Sequence, residues 1–172
     1  MIRPAKEADC SGLATIYNHY IANTVVTFEE DAVDAQAFQL RLAETAEAGL
    51  PWLVADVGGK IAGYAYASKW KGRCAYRFSV EVTVYLSPDF TGQGLGSDLY
   101  TALFAALGER SFHAVMGGIS LPNAASIALH EKFGMKKVAH FEEVGYKFGR
   151  WIDVGYWQGK LSNTDNTGAD KD

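Results

Sequence analysis

The sequence predicts an α+β fold with an antiparallel first half and a β-α-β centre, and three stretches carry that expectation. Two β-rich runs meet at Gly58-Gly59 in "PWLVADVGGKIAGYAYASKW", a hairpin signal because the favoured two-residue turn needs positive φ at both central residues. "YRFSVEVTVYLSP" alternates strictly, setting Phe78, Val80, Val82, Val84 and Leu86 on one face and Ser79, Glu81, Thr83 and Tyr85 on the other. After it, Leu95, Leu99, Leu103 and Leu107 recur at helical spacing up to Gly108, and "HAVMGGIS" reads as a short strand.

The remaining elements follow in order. "MIRPAKEAD" opens with a short strand and a loop in which Asp9 or Ser11 caps a first helix marked by Leu13, Ile16, Tyr17 and Tyr20. "NTVVTFEED" connects it to a second helix, with Phe38, Leu42 and Ala46 on one stripe and Gly49 as its stop. Pro88 ends the alternating strand, and "NAASIALHEKFGM" gives a further amphipathic helix closed by Gly134. "VAHFEEVGYKFGRWIDVGYWQGKL" reads as two or three β-rich segments turning at Gly145 and Gly149. "SNTDNTGADKD" has too little apolar content to pack, so one domain over residues 1–161 and a disordered tail over 162–172 are expected.

Composition narrows the function. A chain of 172 residues, 48% hydrophobic, can close its own core without disulfides or a structural metal. The net charge of −4 opposes a nucleic acid or an anionic membrane as the main partner, since either needs a dense basic surface. Cys10 and Cys74 stand far apart, and no clustered His or Cys spacing indicates a metal. "MIRPAKEADCSG" has Pro and mixed charges where a secretory segment would be apolar, and no later run has the length of a membrane span, so a cytoplasmic protein is expected.

The loop "TGQGLG" sets Gly92, Gly94 and Gly96 at alternate positions ahead of the leucine stripe. A Walker A loop would need a Lys after the last glycine, where Ser97 stands, and a dinucleotide fingerprint would need an acidic residue ending the next strand, which "HAVMGGISL" lacks. Two readings stay open: a tight strand-to-helix turn, or a helix N-terminus whose free N–H groups near Gln93, Gly94, Leu95, Gly96 and Ser97 receive a pyrophosphate.

This loop resembles the acetyl-coenzyme A signature of the Gcn5-related N-acetyltransferases (GNAT), with Thr91 where relatives usually carry Arg or Gln. "NAASIALHEKFGM" is similar to the family's second signature, with His130 in place of its Tyr. "IRPAKEAD…IYN", "VEVTVYLSP", "LPNAASIALHEKFGM" and "YKFGRWIDVGYWQ" resemble the branch that acetylates phosphinothricin and methionine sulfoximine, and together they span nearly all of residues 2–158. The resemblance implies a GNAT fold, a central mixed and mostly antiparallel twisted sheet flanked by helices. It also implies acetyl-CoA as donor, a small-molecule amine as acceptor and a homodimer.

It further implies site residues. Pantetheine would lie beside Val84, Tyr85 and Leu86, where a strand bulge frees main-chain groups, with Asn123 and Ser126 also at the cofactor. From Leu86 back to Glu81 an extended strand covers roughly 16 Å, comparable to pantetheine, so Glu81 would meet the reacting carbon as general base. Otherwise Glu81 is a solvent-facing carboxylate on an exposed strand. His130 would protonate the leaving thiolate or pack locally on its helix. Arg73 and Arg77 suit an acceptor carboxylate or serve as solubilising charges, and Phe28 and Glu29 would form a substrate wall by analogy. The aromatic ending, Tyr146, Phe148, Trp151, Tyr156 and Trp157, is read as core and subunit packing rather than a ligand box. The alternatives are acetylation of a protein N-terminus or polyamine, or a non-catalytic acyl-CoA binding module.

Overall fold

The computed structural model describes residues 1–161, so the expected tail over 162–172 lies outside the described residues. Strands β1 (Ile2–Pro4), β2 (Trp52–Val57), β3 (Lys60–Lys69), β4 (Ser79–Leu86), β5 (Ala114–Ser120), β6 (Lys136–Lys147) and β7 (Arg150–Lys160) form one sheet in the order β1-β2-β3-β4-β5-β7-β6. Every pairing is antiparallel except β4 with β5. Helices α1 (Cys10–Asn23), α2 (Ala35–Glu47), α3 (Leu95–Gly108) and α4 (Ala124–Lys132) flank it. The sheet is thus mixed and mostly antiparallel, as expected.

Strand alternation divides the core between the two faces. On one face, Val80 and Val82 of β4 meet Leu99, Tyr100, Leu103 and Leu107 of α3, so the leucine stripe faces inward as read. On the other, Tyr85 of β4 joins Trp52, Val54 and Tyr64 under Leu13, Ile16, Tyr17 and Ile21 of α1 and Phe38 of α2. Ring pairs such as Trp52 with Tyr66, stacked at 4.3 Å, and Tyr17 with Tyr85, edge-on at 5.2 Å, give this second layer its shape. Helix α2 is capped by Asp34, whose carboxylate accepts from Ala37 N at 2.8 Å, and its buried stripe is narrower than expected because Ala46 is exposed.

Gly58 and Gly59 turn the β2–β3 hairpin at φ 60 and 82, as the sequence implied. The C-terminal hairpin departs from the reading. It turns only at Phe148-Gly149, with φ 51 and 72, while Gly145 lies inside β6. The irregularity sits between Phe141 and Gly145, where the β6–β7 register shifts and Glu143 adopts φ 51.

Arg3 fastens the chain start. Its guanidinium holds Asp9 through two bonds of 2.7 and 2.9 Å and reaches Asp56 at 3.0 Å, tying β1 to the entrance of α1 and the β2–β3 turn. The Asp9 carboxylate, which also accepts from Lys6 N, is held below the usual range, chiefly by the Arg3 hydrogen bonds. A carboxylate with a depressed folded pKa stabilises the fold above its unfolded value of 3.8 and loses that contribution as pH falls through the folded value. Asp9→Asn is expected to lower stability at pH 7 by about 1–3 kcal/mol, and the gap from wild type should close below about pH 3 in denaturant titrations.

Candidate active site

The parallel pair β4–β5 is short. It runs only through Ser79 with Ala114, Val80 with Val115 and Glu81 with Met116, after which β5 continues on β7 alone. Beyond Glu81 the β5-facing main-chain groups of β4 therefore lack a strand partner. No bulge is involved, contrary to expectation: β3 and β4 stay in register from Lys69 with Val80 to Gly63 with Leu86. The strands simply part, leaving a gap lined by Val82, Thr83, Val84 and Tyr85 on one side and Gly118, Ile119 and Ser120 on the other.

A cleft of about 550 Å³ opens from this gap toward α3. Val84, Leu86, Gly92, Gly94, Gly96, Ser97, Asn123 and Ser126, all singled out from sequence, line it. Gly92 and Gly94 have φ of 72 and 84, so the first two glycines are required by backbone conformation. Gly94 caps α3 without a side-chain hydrogen bond, which leaves the first-turn N–H groups open to the cleft, whereas α4 is capped by Asn123 Oδ1 accepting from Ser126 N at 3.1 Å. Lys132, missed in the sequence, brings a cation to the same mouth, its Nζ donating to Ser97 Oγ at 2.9 Å. Tyr20, also missed, ties α1 to the end of β4 through Leu86 O at 2.7 Å. Both reach the cleft from distant elements, and no local pattern marks them. Gln93 instead turns back to Asp89 O, and Leu95 packs against the core beneath α3.

On the α1 side of the sheet the gap leads to a second cavity of about 430 Å³, lined by Val26, Phe28, Glu81, Gly118, Ser120, Phe141, Val144, Val154 and Tyr156. Glu81 is half-buried, and burial raises its pKa, opposed by the Gly118 amide and by Lys71. A Cβ at Gly118 would sit 3.1 Å from Glu81 Oε1, so the bare backbone of β5 makes room for the carboxylate. The Ser120 hydroxyl beside it is buried with no hydrogen-bond partner among the described residues.

His130 approaches the gap from the opposite face. It is 4% exposed, and its ring occupies the space a Cβ would need at Gly117. Nδ1–H donates to Ser126 O at 2.7 Å, which leaves Nε2 to accept from the Tyr100 hydroxyl at 3.0 Å. Burial lowers its pKa, so the ring is neutral and both nitrogens are engaged. The packing reading of His130 is the one this environment favours.

Three expected residues lie elsewhere. Glu29 pairs with Arg41 at 2.9 Å instead of lining the Glu81 cavity, although its neighbour Phe28 does line it. Arg73 and Arg77 are exposed around a short helical turn before β4, with Arg77 lying 4.5 Å over the Phe78 ring, and neither lines the Glu81 cavity of the single chain.

Comparison with known proteins agrees with this geometry. Residues 2–155 match the family model described as an acetyltransferase (GNAT) domain. The chain is 43% identical to a phosphinothricin N-acetyltransferase of Streptomyces viridochromogenes, over 91% of this chain and 85% of that protein. It is 35% identical to an L-methionine sulfoximine/L-methionine sulfone acetyltransferase of Salmonella typhimurium, over 93% and 94%. The crystal structure of a phosphinothricin acetyltransferase from Sinorhizobium meliloti in complex with acetyl-CoA superimposes with a TM-score of 0.93 at 33% identity, covering 99% of this chain and 93% of that one.

A neutral buried histidine also makes stability depend on pH. The unfolded chain takes up a proton near the ordinary value of 6.5 that the folded ring refuses, so stability falls as pH drops below that value toward the lower folded pKa. Replacing the ring by Gln at position 130 is expected to lower stability at pH 7.5 yet flatten its decline between pH 7 and 5, read from denaturation midpoints.

Proposed function

The chain belongs to the acetyltransferase (GNAT) family, and from that premise we propose that it moves an acetyl group from acetyl-CoA to the amino group of a small amino-acid-like acceptor, with phosphinothricin, methionine sulfoximine and methionine sulfone as preferred acceptors. The observation that carries this reading is that both cavities share lining residues with the β4–β5 gap, with an open helix N-terminus at one end and Glu81 at the other. The α3 N–H groups, with Lys132 nearby, suit a pyrophosphate, and the unpartnered edge of β4 suits an extended amide-bearing arm. Acetyl-CoA supplies the thioester; the chain must hold it, remove a proton from the amine and return one to the thiolate.

Glu81 takes the first proton, directly or through a water that the unpaired Ser120 hydroxyl is placed to hold. Its burial-raised pKa brings a carboxylate nearer to the amine it must deprotonate. The thiolate takes its proton from water entering the gap, because the Tyr100 hydroxyl proton is committed to His130 Nε2 and burial pushes the Tyr100 pKa well up. Two free thiols, one of them on the exposed Cys74, suit a reducing compartment, so we place the reaction in the cytoplasm.

A second copy completes the site in this proposal. The hairpin of β6 and β7 exposes Val144 (58%), Tyr146 (55%), Phe148 (58%) and Trp151 (60%), and Val144 also lines the Glu81 cavity. A homodimer through this face accounts for their exposure, and only within such a dimer does Arg77 keep its role at the acceptor carboxylate. Replacing Trp151 by Glu is expected to shift the protein toward monomer in light scattering; an unchanged dimer would move the interface elsewhere.

Activity is tested by coenzyme A thiol release with phosphinothricin, methionine sulfoximine, methionine sulfone, spermidine and an N-terminal peptide in parallel. Release with the first three, lost by about 10²- to 10⁴-fold in Glu81→Gln with acetyl-CoA affinity unchanged, is the expected result. The wild-type rate should fall on the acid side with a midpoint above the ordinary carboxyl value of 4.5, since only ionised Glu81 accepts the proton. Release with spermidine or peptide alone would keep the family and overturn the acceptor, and acetyl-CoA binding without release would leave a binding module.

A further inference from the structure

Strand β6 is exposed along nearly its whole length, and its two buried residues are Gly145 and Lys147, neither one a residue that builds a hydrophobic core. Both face the loop between α1 and α2. The Lys147 side chain, 2% exposed, donates from Nζ to Thr27 O at 2.8 Å, and its ammonium lies 5.1 Å over the Phe148 ring. Among the described residues no carboxylate lies within salt-bridge distance of it. Burial pushes its pKa down, with Glu30 acting in the opposite direction. A Cβ at Gly145 would clash with three atoms of the Phe28 ring. Gly145 does not have positive φ, so its backbone suits any residue and only the ring forbids a side chain.

The loop itself, residues 24–34, has no strand ladder, and side chains hold it. Asn18 exchanges two bonds with Val33, at 2.8 and 2.9 Å, and Tyr17 meets Thr27 Oγ1 at 2.7 Å. Lys147 is the tie from the C-terminal hairpin. Val26 and Phe28 project from this loop into the Glu81 cavity, and Phe141 and Val144 enter it from β6. The bulge that carries Val144 is pinned by Asp153, whose Oδ1 accepts from Glu143 N at 2.9 Å.

We infer that Gly145 and Lys147 of β6 fix the depth of the acceptor pocket by seating Phe28 and Thr27, and thereby set the largest side chain an amino-acid acceptor can carry. Gly145 acts by having no side chain: the ring settles onto bare backbone and leaves the cavity open. Lys147 is a positioning residue, distant from the reacting atoms, that keeps the loop at that height. The inference rests on the acceptor reading of the Glu81 cavity.

Two kinds of measurement test it. In kinetics with methionine sulfoximine, Gly145→Ala is expected to raise the acceptor KM about tenfold or more as Phe28 is driven into the pocket, with the acetyl-CoA KM unchanged. In a Phe28→Ala background, Gly145→Ala should leave the acceptor KM of that background unchanged, since the clash is then gone. Lys147→Met keeps the length of the stem, removes the buried charge and drops the tie, so thermal stability should hold or rise while the acceptor KM rises. In hydrogen exchange on the same proteins, amides of residues 24–34 should exchange faster in Lys147→Met. A wild-type acceptor KM in both single variants, or a Gly145→Ala effect that is just as large in the Phe28→Ala background, overturns the inference. If the wild-type protein acetylates no amino acid while Lys147→Met still frees the loop, the acceptor reading falls and the link between β6 and the loop stands.

Discussion

The early end of pairing between β4 and β5 is the constraint on which the site depends. Three residue pairs join these strands, and the sheet then continues as two wings that share no ladder. Had the parallel pair run on, Val82 to Tyr85 would have met Gly117 to Ser120, and no passage would connect the cleft at α3 with the cavity at Glu81. The two bare residues of β5 fall where the strands begin to part. Gly117 leaves the volume taken by His130 from one face, and Gly118 the volume approached by Glu81 and Tyr156 from the other. Adding a methyl at either position would disturb the site without altering its charged groups.

The α3 end of the cleft is built mainly from backbone. Gly92 and Gly94 hold positive φ, α3 starts without a side-chain cap, and the donors of its first turn remain for a ligand. Lys132 brings a cation to the same mouth from α4. Its contribution depends on the α3–α4 approach, which Leu129 makes by packing 3.5 Å from where a Cβ at Gly96 would lie.

What could be read from sequence was whatever is written in consecutive residues. The Gly58-Gly59 turn, the alternation that sends Glu81 to one face and Val82 to the other, the leucine stripe of α3 and the glycine loop each rest on local periodicity or backbone conformation. What could not be read involves partners far apart in the chain. Tyr20 with Leu86, Lys132 with Ser97 and Lys147 with Thr27 are single contacts between elements whose approach only the folded sheet determines. Gly145 misled for a related reason. A glycine in a β-rich stretch suggests a turn, and the same residue is needed when a remote ring must lie against the strand. The arginines before β4 are exposed around a short turn and do not line the Glu81 cavity of the single chain, so residue type alone does not place them.

The two faces of the sheet also separate the proton-handling groups. Glu81, on the face of α1 and α2, has its carboxyl pKa raised chiefly by burial, and His130, on the face of α3, has its ring pKa lowered by the same cause. Desolvation thus disfavours the charged form of each group, raising the carboxyl pKa and lowering that of the ring. The Tyr100–His130 pair, across the strands, holds its hydroxyl proton between the two rings. Glu81 and the His130–Tyr100 pair thus approach β5 from opposite faces, at Gly118 and Gly117 respectively.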